Sequence, residues 1–357
     1  MVFFGRKRYD DEEEDLRDRS LSKTNSSFDR AEASRRKKKE LPKQWTKKER
    51  YLVFYILLIT VVLSGFLALS AREWKLPGLP RLALPKIKFF EGEKIVIEKG
   101  EKTLAPELRN KSEKIIQEFG KETEDLSGVY GLYVLDLKSD YSFGVFEDEI
   151  FQAASLIKLP VMAGMYIEME NGKWKMEDRY ALKNIDKASG AGSLYKKPEG
   201  YELAYKDLVR LMGKESDNTA FRIAKDLLGE DRVKEIIKEI GMAKTDFAKN
   251  ETTPKDIGLF FKKLYQAEIV NDKNKEDFLA NLTNTLYEEW LAAGVPDDIR
   301  VAHKFGREMH VVNDAGIVFT EKPYIVVIMG KGVIEREADE IFPRLSKLVY
   351  DDLNSGF

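Results

Sequence analysis

A serine and a lysine three residues apart, Ser155-Leu-Ile-Lys158, are followed downstream by Ser216-Asp217-Asn218 and then by Lys304-Phe305-Gly306. Residues of these types can acylate a serine without any histidine. A serine hydroxyl is a poor nucleophile until a base takes its proton. On a helix, Lys158 lies one turn beyond Ser155 on the same face. It acts as a base only when neutral, and burial or a second cation such as Lys304 lowers a lysine pKa. Ser155 is expected at the start of its helix, where free N–H groups and the helix dipole favour developing negative charge. Downstream, Ser216 can relay a proton to a leaving group and Asn218 can hydrogen-bond a substrate amide.

Each motif alone says little. Ser-x-x-Lys starts at Ser20, Ser34, Ser155 and Ser193. The first two lie in a charged tail and the last in a glycine-rich stretch, so only Ser155 opens an apolar helical run, 156–166. Ser-Asp-Asn occurs once, and the competing reading is an ordinary helix N-cap before Thr219. Lys-x-Gly is common, and Lys304 counts because it follows the other two. Pro160 cannot donate to the carbonyl of Leu156, so a kink is expected near the site.

Composition narrows the chemistry. The 357 residues include no cysteine and two histidines, His303 and His310. This excludes disulfides, thiolate metal sites and a cysteine nucleophile, and it leaves no His-rich metal site. A serine–histidine triad would need one of the two histidines; the plainer reading of both is a polar residue on a strand or turn. No cofactor is called for. The net charge of −2 gives no global basic field and no reason to propose nucleic acid as a partner.

The chain divides into four stretches. Residues 1–48 mix acidic and basic runs with few apolar residues, and are expected to be a disordered, charged cytoplasmic tail. Its basic part either rests on anionic lipid or stands solvated without a partner. Residues 49–71 contain the uncharged run 51–71, long enough to cross a bilayer as one transmembrane helix. The basic flank ahead of it places the N-terminus in the cytoplasm and the rest of the chain outside. A buried globular helix and a cleaved signal peptide, with Ala68 and Ser70 as a weak cleavage site, are the alternatives. Residues 72–105, with Pro77, Pro80 and Pro85, read as an extended extracytoplasmic stalk, to which 94–98 would add a short strand. Residues 106–357 form the folded domain. Helical spacing covers 107–119, most of 203–241, 253–265 and 338–353. Strand patterns cover 129–137, 141–146, 301–304, 311–319 and 324–329. Strands at both ends with helices between them give an α+β domain: an antiparallel sheet flanked by N- and C-terminal helices, with a helical subdomain inserted.

The constellation resembles the class A β-lactamase-like serine hydrolases, within the penicillin-recognising serine enzymes. The resemblance runs from about 106 to 352 and rests on residues 151–160, 215–220, 252–257, 303–306 and 313–318. It implies Ser155 as nucleophile, Lys158 as base, Ser216 as proton relay and Asn218 as a substrate contact. Lys304 would supply positive potential for a substrate carboxylate, and the backbone N–H groups of Ser155 and Arg307 would form the oxyanion hole beside Gly306. Two positions depart from the family pattern. Phe305 stands where a threonine or serine hydroxyl binds the carboxylate, a loss for which the Arg307 guanidinium could compensate. The loop before Thr252 lacks the glutamate that activates the deacylating water, and Glu251 is the nearest carboxylate.

The reading is a membrane-anchored, extracytoplasmic serine hydrolase that forms an acyl-enzyme at Ser155. Its substrates would be β-lactams or D-alanyl cell-wall peptides, with slow turnover. The alternative is a non-catalytic, wall-associated module that keeps the fold. A stalked scaffold whose tail does the work is a third.

Overall fold

The structure, a computed structural model, describes residues 47–70 and 106–354. The expected tail (apart from its last two residues), stalk and short strand at 94–98 lie outside the described residues. Two units result, one ending at Ile87 and one beginning at Lys88.

In the first unit, α1 spans Lys47–Ser70. Its apolar side chains are mostly exposed, Val61 at 66% and Tyr51 at 63% among them. Side chains of the expected span are described only over 51–64. Among the described residues no helix is long and apolar enough to cross a membrane.

The second unit opens with α2 (Pro106–Thr123), then β1 (Val129–Asp136) and β2 (Ser142–Val145). Asp136 closes their hairpin, its carboxylate accepting from the N–H groups of Lys138 and Ser139. Next come β3 (Phe151–Gln152), a 3-10 turn (Ala154–Ile157) and α3 (Lys158–Glu170). The helical insertion holds a small ribbon of β4 (Arg179–Ala181) with β5 (Glu202–Ala204), then α4 (Tyr205–Lys214), α5 (Asn218–Leu228) and α6 (Glu230–Ile240). The chain returns through β6 (Glu251–Thr252), α7 (Pro254–Tyr265) and α8 (Asp272–Asn281). It ends in β7 (Val301–Glu308), β8 (Val311–Val318), β9 (Tyr324–Lys331) and α9 (Glu335–Asn354).

The main sheet is antiparallel in the order β2-β1-β9-β8-β7. Side chains alternate across it, as strand geometry requires. Tyr130, Leu132 and Val134 of β1 pack with Phe342 and Leu345 of α9 and Phe119 of α2. Tyr133 and Leu135 face the other way, into the core shared with α3, α5 and α7. The expected α+β arrangement is therefore present, with terminal helices on one face and the insertion on the other.

Two local expectations change. Pro160 is the third residue of α3, inside the first turn, where backbone N–H groups have no intrahelical partner. It costs no hydrogen bond there. The change from 3-10 to α-helix comes just ahead of it, at Ile157 and Lys158, which both keep helical dihedrals. The strand expected at 301–304 continues to Glu308, because β8 pairs with it along its full length.

Candidate active site

Three segments of the second unit meet at the edge of the sheet. The first is the 3-10 turn. In a 3-10 helix side chains at i and i+3 eclipse, and Lys158 Nζ lies 2.9 Å from Ser155 Oγ. Ala154, just before the serine, has φ 47°. That left-handed conformation is strained for a residue with a Cβ. The turn is held from the sheet by Asn313 on β8, whose Nδ2 donates to the carbonyls of Gln152 (2.9 Å) and Ala153 (3.1 Å).

The second segment is the 216–218 loop, and here both readings of Ser-Asp-Asn are realised by different residues. Asp217 is the N-cap of α5, accepting from the Ala220 N–H at 2.8 Å, while Ser216 and Asn218 turn toward Lys158. The glycine-rich stretch behind the loop buttresses it. Leu194 N–H donates to Asp217 Oδ2 and Ser189 O accepts from Asn218 Nδ2. Gly192 has φ +86°, and a Cβ there would lie 2.1 Å from Asp217 Oδ2. Sequence reading had set this stretch aside; its paired glycines were the available signal.

The third segment is β7. A Cβ on Gly306 would lie 2.9 Å from the Ser155 nitrogen, so glycine is what lets the strand approach Ser155. His303 N–H donates outward, off the sheet edge, to Leu282 O. Alternation along a strand sends the N–H of Arg307, four residues on, off the same edge toward the 3-10 turn.

Lys158 is buried, with Nζ contacts to Ser216 O (2.7 Å), Ser216 Oγ (3.1 Å) and Asn218 Oδ1 (2.8 Å) besides Ser155. Two of these, the carbonyl oxygens, only accept. A neutral amine has two protons and one lone pair. It satisfies both carbonyls and turns the lone pair to a serine hydroxyl. Burial lowers the Lys158 pKa to about 8, against the pull of the Asp217 and Glu308 carboxylates. Lys304 is also buried, with Nζ 3.0 Å from Ser216 Oγ and 2.9 Å from Phe305 O. Burial, and then the neighbouring Lys158 ammonium, push its pKa well down, with Asp314 opposing. Ser216 Oγ thus sits between two amines that resist being charged together.

Two hollows open on this centre. One, of about 340 Å³, is lined by Ser155, Lys158, Asn218, Phe247, Asn250 and Glu308 among others. The other, of about 650 Å³, is lined by Ser155, Ser216, Gly190, Tyr287, Trp290, Phe305, Arg307 and others. Glu251 lines neither; it pairs with Gln152 in the β3–β6 ribbon.

A family model described as the Beta-lactamase enzyme family matches residues 111–353. The chain belongs to the β-lactamase enzyme family. Among solved structures, PBP-A is 27% identical at a TM-score of 0.64, over 69% of this chain and 96% of that one. A substituted PBP-A in acyl-enzyme complex with penicillin G is 28% identical at 0.63, over 70% and 99%. A β-lactamase from Sphaerobacter thermophilus is 25% identical at 0.64, over 66% and 95%. No curated protein matches.

Against the β-lactamase pattern, the two departures have clear structures. The Phe305 ring is buried, 3.8 Å from the Tyr287 ring centroid and 6.0 Å from that of Trp290. The Arg307 guanidinium is already held bidentately by Asp339, at 3.0 and 3.2 Å. The loop at 244–250 is short and tied down. The Asp256 carboxylate accepts from the Lys244 N–H and the Thr245 hydroxyl, and Thr253 caps α7 ahead of Pro254. Tyr287, Trp290, Asp339 and Glu308 carry no motif, and sequence reading missed all four.

Proposed function

We propose that this β-lactamase-family protein is a serine acyl-transfer hydrolase working through Ser155. The observation that carries the reading is the set of contacts at Lys158, whose amine faces the Ser155 hydroxyl while burial favours its neutral form. Ser155 Oγ attacks a carbonyl carbon and its proton passes to Lys158. The backbone N–H groups of Ser155 and Arg307 take the developing oxyanion. Ser216, between the two lysines, returns a proton to the leaving nitrogen, and water later releases the acyl group. The substrate class is β-lactams or D-alanyl wall peptides, supported by the penicillin complex of the PBP-A relative. Deacylation is slow, because Glu251 lies outside both hollows.

The test is intact-protein mass spectrometry after incubation with penicillin G, and separately with a fluorophosphonate, beside Ser155→Ala. A Ser155-dependent penicillin adduct that persists for many minutes is expected. Rapid decay to hydrolysed drug would overturn slow deacylation. Failure of both reagents to mark Ser155 would return the non-catalytic module.

The same reading places the domain outside the cytoplasmic membrane, anchored by one helix. It rests on the uncharged run 51–71 and the basic residues ahead of it. Fusing alkaline phosphatase after Phe357 should give an active reporter in bacterial cells. An inactive one, with a green fluorescent protein fusion that fluoresces, would reverse the orientation.

A further inference from the structure

We infer that the leaving-group side of the substrate carries no carboxylate and presents a flat, uncharged surface. The inference rests on the serine hydrolase reading and narrows its substrates: a penicillin or a D-alanyl-D-alanine end carries a carboxylate on the leaving side and acylates Ser155 slowly, and an acyl donor without that carboxylate acylates it faster. Ser216, the proton donor to the departing atom, lines the larger hollow and not the smaller one, so the leaving group lies in the larger. A substrate carboxylate there would need a hydroxyl beside Lys304 and an available cation. Phe305 supplies no hydroxyl. Lys304 Nζ is wholly buried, spent on Ser216 Oγ and Phe305 O, with the Phe305 ring centroid 4.1 Å away. Arg307 is neutralised by Asp339, which also accepts from Trp290 Nε1 at 3.1 Å. The charged residues lining the hollow are Arg307, Asp339 and Glu289, one positive and two negative, a field that repels an anion. In place of an anion site stands an aromatic wall. Phe305 is only 6% exposed beneath Tyr287, and Tyr287, which is only partly buried, offers a ring face to a flat group.

The probes are two aryl esters of one N-acylglycine, a phenyl ester and its meta-carboxyphenyl counterpart, each rate divided by its alkaline hydrolysis rate. In both, the Ser155 Oγ–acyl bond forms and the acyl–aryl oxygen bond breaks. The serine proton passes by Lys158 and Ser216 to the departing phenolate. The full-length chain should be acylated at least tenfold faster by the phenyl ester. Phe305→Thr should erase that preference. Tyr287→Ala, at a partly exposed position and so tolerant of change, should slow the phenyl ester by a factor of five or more. Equal rates, or preference for the carboxylate, in a protein whose Ser155 accepts a fluorophosphonate would overturn the inference alone. No Ser155 labelling by any reagent would remove the serine reading and the inference with it.

Discussion

The rate of Ser155 acylation should climb about tenfold per pH unit up to about pH 8 and level off above it. The reason is the state of Lys158. An ammonium cannot take the serine proton, and the fraction of neutral amine grows tenfold per unit until the pH reaches the pKa. Burial brings that pKa to about 8, so an appreciable fraction is neutral at physiological pH. Removing the base with Lys158→Met should lower the acylation rate by about 10²–10⁴-fold and flatten the profile. Residual reaction would come from the oxyanion hole and from proximity. The measurement is the second-order rate of Ser155 modification, by mass, between pH 6 and 8.5, with circular dichroism to show that the variant is folded. A flat profile in the unmodified protein would remove Lys158 as the base. So would a Lys158→Met variant that keeps the slope.

The Ser155–Lys158 pairing was legible because two pieces of information coincide in the sequence: the spacing of the two residues, and the apolar residues 156–166 that bury the lysine. The strands of the sheet were legible for a similar reason. β1, β8 and β9 are strand-length runs buried almost throughout, and the short turn at 138–140 fixes the β1–β2 hairpin. The limits are physical too. The strand β7 was expected to stop at Lys304 because Gly306, Arg307 and Glu308 break an apolar pattern. They do so because Gly306 lies against Ser155 while Arg307 and Glu308 line the hollows, and the strand continues through them because β8 pairs with it along its full length. The β4–β5 ribbon has three-residue strands, too short to set a period. Helix α8 is largely charged, burying only Phe278 and Leu279, and was not read. Pro160 was read as a kink because its neighbours look uniformly helical; the 3-10 turn that makes it a first-turn residue leaves no mark on the pattern. The aromatic wall is the largest omission. Tyr287 and Trp290 come from an irregular segment, and their meeting with Phe305 is a tertiary fact.

The histidine in this neighbourhood has a structural task, which leads to the second large effect: Asp314→Asn should destabilise the protein by about 3–5 kcal/mol. His303 lies fully buried on β7 next to Lys304. Its Nδ1 is 2.8 Å from Asp314 Oδ1 and its Nε2 is 3.2 Å from Glu288 Oε1. Burial works to lower its pKa, but Asp314 and then Glu288 outweigh it and hold the value at about 9. At neutral pH an imidazolium therefore bridges two carboxylates, and Asp314 Oδ2 also accepts from the Leu291 N–H at 3.0 Å. Replacing Asp314 keeps the shape and leaves a buried charge with only the half-exposed Glu288 for compensation. The sign of the pH effect follows. A histidine raised from about 6.5 in the unfolded chain to about 9 in the folded one contributes fully below pH 6.5. That contribution is lost as pH rises through 9, by up to about 3 kcal/mol at about 1.4 kcal/mol per unit. Denaturant titrations of the full-length chain at pH 6 and pH 9, followed by tryptophan fluorescence, read both effects. Lys158 and Lys304, whose pKa values are lowered, add stability as pH rises, so the histidine is read from the difference between the two proteins: Asp314→Asn should start lower at pH 6, and the gap should narrow by pH 9. An unchanged midpoint in the variant would show that the bridge is not charged. A gap that stays constant from pH 6 to 9 would show the same from the histidine side.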